Sequence, residues 1–268
     1  MSLVDTHCHL TGREFASCLD AVIDRAVAAG VNRMITVGTD AADAQAALAL
    51  ARRRPELSAA AGIHPHEAGR AVPADLDVLA RVWAEPRCVA VGEIGLDYHY
   101  DFSPRDVQRD WLRRQLDAAA ATGLPVVIHS REAHADVVRI LTECGYVGRP
   151  VVFHCFAGTA DEAAEIARCG WRLSFSGVVT FRKSEALRAI AATYPAEQLL
   201  IETDAPYLSP EPVRHIRPNE PANVRHTLAF LAALRQTPFD VLADRTSRNA
   251  EAFFPRMART SDARAQQP

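Results

Sequence analysis

Residues 89–98 read Val-Ala-Val-Gly-Glu-Ile-Gly-Leu-Asp-Tyr. Apolar side chains occupy adjacent rather than alternating positions, the pattern of a strand covered on both faces. The run Cys88–Ile94 is one of eight such runs. The others are Leu3–Thr6, Arg33–Val37, Leu57–Ile63, Pro125–His129, Pro150–Cys155, Arg172–Ser176 and Leu199–Thr203. Helical periodicity fills the gaps: Phe15–Ala29, Asp40–Arg54, Pro73–Ala84, Arg105–Thr122, Ala133–Cys144, Thr159–Arg168, Lys183–Thr193, Pro221–Arg235 and Pro238–Phe253. Several of these stretches stop at Gly30, Gly123, Gly145 or Gly170, or before Pro55 or Pro195, where glycine and proline end helices. Strict alternation of strands and helices over about 250 residues predicts an α/β fold of the (β/α)8 TIM-barrel type. A doubly wound open sheet is the alternative. It usually has fewer strands and a glycine-rich first turn, which is missing here.

The polar residues interrupt these runs at their ends. His7 and His9 close the first, His64 and His66 follow the third, and Glu93 ends the fourth. His129, His154 and Asp204 end the fifth, sixth and eighth. In a parallel barrel the C-terminal strand ends form one rim, where active sites lie. Imidazole and carboxylate are the usual protein ligands of zinc, manganese and related divalent ions. His7 and His9 can face one ion, with Asp204 completing its shell and taking a proton from the attacking water. Glu93 can bridge to a second ion shared by His129 and His154. A single strand-end histidine reads as a hydrogen-bonded rim residue, Glu93 alone as an acid paired with an arginine, and Glu202–Asp204 as a helix cap. Six candidate ligands on one rim outweigh those separate readings. Two ions imply hydrolysis through an activated water. Cys8 and Cys155 read as small buried thiols, and Ser130 lacks a G-x-S-x-G setting.

Composition sets further limits. The chain has 268 residues and a formal net charge of −3, which excludes a broadly basic nucleic-acid surface but leaves room for a local patch. No apolar run approaches the ~20 residues of a membrane span. The first residues show no signal-peptide pattern, so a cytoplasmic location is expected. The six cysteines form no C-x-x-C pair and are expected to be reduced. All but one of the 30 basic residues are arginine, the exception being Lys183. Neither a G-x-x-x-x-G-K-[ST] loop nor a G-x-G-x-x-G turn is present. One barrel domain is expected over 1–256, with a flexible C-terminal tail, 257–268.

Together, VDTHCHL (4–10), GIHPHEA (62–68), VGEIGLDY (91–98), PVVIHSREAHAD (125–136), VVFHCFAG (151–158), LSFSGVVTF (173–181), LLIETDAPYL (199–208) and RPNEPANV (217–224) resemble the TatD family of metal-dependent hydrolases. The resemblance covers roughly residues 3–254. It implies a TIM barrel and a metal-dependent deoxyribonuclease, in some members a 3′–5′ exonuclease on single strands. By the resemblance, His7, His9, Glu93 and Asp204 hold one metal, and Glu93, His129 and His154 the second. His64 then contacts phosphate. Glu93, Asp204 and His64 are the expected catalytic residues. Related barrels bridge their metals with a carboxylated lysine on the fourth strand; here that place holds Glu93. The family points to magnesium, the imidazole-rich donor set to zinc or manganese.

The sequence departs from the family at Thr11, where an Asp or Asn is usual, and in the loop Pro212–Pro221, one residue shorter and without its glycine. Arg131, Arg214 and Arg217 are the expected phosphate contacts, since the guanidinium fork fits two oxygens. Tyr98, Tyr100, Phe102 and Phe181 could stack on a base or simply pack. The expected partner is a DNA end or a small phosphoester, without a membrane or an obligate protein partner. Hydrolysis of another ester or an amide, or deacylation, uses the same activated water and stays open. A non-enzymatic metal-binding barrel is a third reading.

Overall fold

The computed structural model describes residues 2–257. Eight parallel strands follow one another in chain order: β1 Leu3–Cys8, β2 Val31–Gly38, β3 Leu57–Ala61, β4 Cys88–Asp97, β5 Val126–Arg131, β6 Val151–Phe153, β7 Arg172–Phe175 and β8 Leu199–Ile201. Just beyond β8 the chain returns to β1. Asp204 N donates to His7 O at 2.9 Å, and His9 N to Ala205 O at 2.7 Å. The two segments that carry His7, His9 and Asp204 are thus stitched together where the barrel closes.

Helices α1 Leu19–Ala28, α2 Ala41–Arg53, α3 Ala74–Ala84, α4 Arg105–Ala119, α5 His134–Glu143, α6 Ala160–Arg168 and α7 Glu185–Thr193 connect successive strands. Helices α8 Val224–Leu234 and α9 Phe239–Phe253 follow the last. Local chemistry starts two of them clearly. The Asp40 carboxylate accepts the Asp43 amide at 2.8 Å, and Thr159 with Glu162 forms a reciprocal capping box on α6. One apolar cluster lies between strands and helices. A second, including Val4, Ile35, Val127, Val152 and Leu200, packs with Phe253, Phe254 and Met257. That packing closes the end of the barrel away from the histidines. Met257, assigned to the tail by sequence, belongs to this cluster; the rest of the expected tail, 258–268, lies outside the described residues.

Several strands end earlier than their apolar runs suggest. β3, β6 and β8 stop at Ala61, Phe153 and Ile201. Cys155 and Asp204 beyond them take φ values of +45° and +55°, which turn the chain out of the ladder. β4 and β5 run further than expected, so Glu93 lies within β4 rather than at its end. Gly95 explains how the two strands stay so close. It pairs with His129 in the ladder at φ +149°, and a Cβ there would overlap the His129 carbonyl. The first helix begins at Leu19 instead of Phe15, after a short 3-10 turn over Arg13–Phe15 that buries the Phe15 ring.

Candidate metal centre

The six expected ligands converge at the mouth. Glu93 stands at the middle, and its two carboxylate oxygens face different groups. Oε2 lies 3.3 Å from His7 Nε2 and 3.8 Å from His9 Nε2. His9 Nε2 is in turn 3.4 Å from Asp204 Oδ1. Oε1 lies 2.6 Å from His154 Nε2, 2.8 Å from His129 Nδ1 and 3.3 Å from His64 Nε2. Two sets of donor atoms compact enough to hold an ion result, His7–His9–Asp204 and Glu93–His129–His154. His64, His66 and His129 form another compact group beside them, and His7, His154 and Glu202 a fourth.

The electrostatics are unusual for a buried cluster. Burial alone would raise the Glu93 carboxyl; the nearby His154 and His64 and the bonds from His129 and His154 outweigh it and hold the group well below the usual carboxylate range. Burial pushes His64 down to about 4, against the pull of Glu93. Among the described residues no arginine or lysine lies within salt-bridge distance of Glu93 or Asp204, which excludes the reading of Glu93 as an arginine-paired acid. A buried anionic group lined by imidazoles, with no arginine or lysine paired to it among the described residues, fits divalent metal ions.

Three supporting acids escaped sequence reasoning. Asp97 is buried, and its Oδ2 lies 2.9 Å from both His129 Nε2 and His66 Nε2. Its Oδ1 accepts the amides of His99 and Tyr100. Glu202 Oε1 accepts the Cys155 amide at 2.6 Å and sits 3.3 Å from His154 Nδ1, so it supports the bend after β6 rather than capping a helix. Asp5 accepts the Thr203 amide at 2.9 Å and pairs with the Thr203 hydroxyl, bracing β1 against the segment after β8. Burial raises the Asp5 carboxyl to about 8, despite the Thr203 and His7 bonds that oppose the rise. Asp97 was detectable: it lies four residues after Glu93 on one strand, on the same face.

A family model described as TatD related DNase matches residues 4–255. The chain belongs to the TatD family. It is a metal-dependent hydrolase, as its relatives are. It is 38% identical to the uncharacterized metal-dependent hydrolase YabD of Bacillus subtilis, over 94% of this chain and 98% of that one. It is 36% identical to the 3′-5′ ssDNA/RNA exonuclease TatD of Salmonella typhimurium, again over 94% and 98%. The solved structure of the TatD homolog YJJV from Escherichia coli K12 superposes with a TM-score of 0.89 at 31% identity, covering 94% and 98%.

The expected phosphate contacts of this TatD protein sit outside the cluster. The Arg131 guanidinium lies 4.6 Å from the Tyr100 ring centroid, Arg214 packs on Phe181, and Arg217 donates to Ser209 Oγ at 2.9 Å. None of the three bonds to a candidate ligand. Cys8 is buried and its thiol faces Ile35 O, as a packing residue should. Cys155 is only partly buried, because the strand has already ended; its thiol meets Ser176 Oγ at 3.1 Å. Among the described residues no helix is long and apolar enough to cross a membrane.

Proposed function

We propose that the protein is a two-metal phosphodiesterase that removes nucleotides from the 3′ end of single-stranded nucleic acid. The observation that carries this reading is the division of Glu93, one oxygen toward His7 and His9, which Asp204 also faces, and the other toward His64, His129 and His154. A carboxylate placed that way would be shared between the two groups of donors, as two-metal hydrolysis requires. Bound there, divalent ions would supply Lewis acidity and an activated water, with magnesium, manganese and zinc all compatible with the donors.

The chain's own residues would do the rest. Asp204, 3.4 Å from His9 Nε2, would orient the attacking water and take its proton. His64, held neutral by burial, points Nε2 into the cluster and can donate to a phosphate oxygen. Asp97 fixes the ring of His129 so that Nδ1 faces inward. The relatives named as exonucleases act on single-stranded DNA and RNA, and the same substrate class is proposed here. We assign catalysis to one barrel over 1–256 acting in the cytoplasm.

The test is cleavage of 5′-labelled single-stranded DNA by metal-stripped protein, with Mg2+, Mn2+ or Zn2+ restored and Glu93→Gln as control. Shortening from the 3′ end that needs metal and vanishes in the variant is the expected result. Protein that binds metal yet cuts no nucleic acid would overturn the nuclease reading and transfer the site to carboxylic ester or amide substrates.

A further inference from the structure

Next to the proposed centre stands an aromatic pair that the hydrolytic chemistry leaves unused. Tyr100 and Phe102 stack with ring centroids 5.3 Å apart and an interplanar angle of 7°. They are 48% and 68% exposed, so a large part of the Phe102 ring is open to solvent. Single exposed aromatics are ordinary, but a parallel pair with a cation beside it is not. Arg131 supplies that cation at the Tyr100 ring.

The pair is continuous with the centre. The His66 ring meets both rings edge-on, at 4.8 Å for Phe102 and 5.6 Å for Tyr100. His66 shares the Asp97 carboxylate with His129, so a short bonded path runs from the stack to a candidate ligand. The loop is also fixed in advance. Asp97 Oδ1 accepts the Tyr100 amide at 2.9 Å. The buried Ser103 hydroxyl donates to His66 O at 2.9 Å, and Gln108 donates to Ser103 O at 2.8 Å. A platform held in place before the ligand arrives loses little entropy on binding.

We propose that Phe102 and Tyr100 form a stacking platform for the base adjoining the scissile phosphodiester, with Arg131 beside the platform to meet a backbone phosphate. The inference rests on the nuclease reading and deepens it by locating substrate affinity. A chain of net charge −3 cannot hold a strand by a broad basic face. Affinity for a strand end must then come from a few local contacts, and stacking is one that tolerates any base.

The test compares wild type, Phe102→Ala and Phe102→Trp on oligonucleotides with ordinary 3′ ends and on others carrying an abasic residue at the last or penultimate position. Stacking on one base predicts a loss in kcat/KM of about 5- to 150-fold for Phe102→Ala on ordinary ends, carried mainly by KM. Phe102→Trp should restore it. An abasic end at the stacked position should cost wild type a similar factor and cost Phe102→Ala nothing more. Phe102 is exposed, and an unchanged melting temperature would show the variant intact. Wild-type kcat/KM in Phe102→Ala, or equal losses on ordinary and abasic ends, would overturn the platform while leaving the nuclease standing. Oligonucleotides left uncut by wild type that hydrolyses a simple ester would overturn both.

Discussion

Asp97→Asn tests the centre without touching any proposed ligand. In the wild type, Asp97 Oδ2 lies 2.9 Å from His129 Nε2 and Oδ1 accepts two backbone amides. Burial raises this carboxyl, yet the bonds from His129 and His66 outweigh it and hold the group well below the carboxylate range. With its Nε2 proton given to Asp97, His129 keeps the Nδ1 lone pair for an ion beside Glu93. Asparagine must leave its oxygen with the His99 and Tyr100 amides, so its NH2 group would face the two imidazoles. Donor would then meet donor. His129 would relieve the clash by moving its proton to Nδ1, which removes the lone pair from the site. Loss of an outer partner of this kind costs about 10- to 100-fold in metal affinity. That factor corresponds to about 1.4–2.8 kcal/mol. Calorimetric Mn2+ titration of stripped protein should show one binding step weakened by that factor, and the step owed to His7, His9 and Asp204 nearly unchanged. Cleavage should recover as Mn2+ is raised. Unchanged affinity and unchanged activity at limiting metal, in a variant that melts normally, would refute the orienting role.

Three further outcomes are expected. His64→Ala should weaken phosphate substrates by about 10- to 150-fold, the range of a lost charge-assisted hydrogen bond, while metal binding shifts little; equal losses in both would make His64 a ligand. Chelation should lower the melting temperature, and re-added Mn2+ at 100 times its dissociation constant should restore about 2.7 kcal/mol, or roughly 5–11 °C for a chain of this size; a melt indifferent to chelator would argue against resident ions. Gly95→Ala should cost at least about 1–3 kcal/mol and loosen metal binding, since φ +149° and the neighbouring His129 carbonyl leave no room for a methyl group. A variant as stable and as metal-responsive as wild type would show that β4 can shift away from β5.

The barrel was legible because the parallel strands are buried on both faces and read as apolar blocks, so each polar residue at a block's end stood out. His7, His9, Glu93, His129, His154 and Asp204 were found that way, and the structure brings them together. Strand ends were less legible. Apolar residues such as Ile63 continue past the last ladder bond, and a positive φ at Cys155 or Asp204 leaves no composition signal. Glu202 and Asp5 were missed for a different reason: each acts through another residue, and a supporting contact has no motif until the partner's position is known, whereas Asp97 carried a signal in its spacing to Glu93. The arginines were legible only as charge, not as contacts. Arg214 and Arg217 were chosen for charge and loop, but packing on Phe181 and bonding to Ser209 engage them on the rim.

The charges at the mouth suit a metal-dependent hydrolase. Glu93, Asp97, Glu202 and Asp204 crowd the mouth of the barrel, and none has an arginine or lysine within salt-bridge distance among the described residues. Yet arginine is abundant in this sequence and pairs freely elsewhere, as Arg25 does with Glu220 at 2.7 Å. Leaving a buried carboxylate uncompensated costs several kcal/mol. The surrounding imidazoles offset part of that cost, as the depressed Glu93 carboxyl shows, but protonating several adjacent ones sets like charges against each other. The single lysine, Lys183, is exposed in the segment after β7, far along the chain from β4. It offers no carboxylated lysine at the fourth strand; among the carboxylates at the mouth, Glu93 is the one whose two oxygens face different imidazoles, His7 and His9 on one side and His129 and His154 on the other.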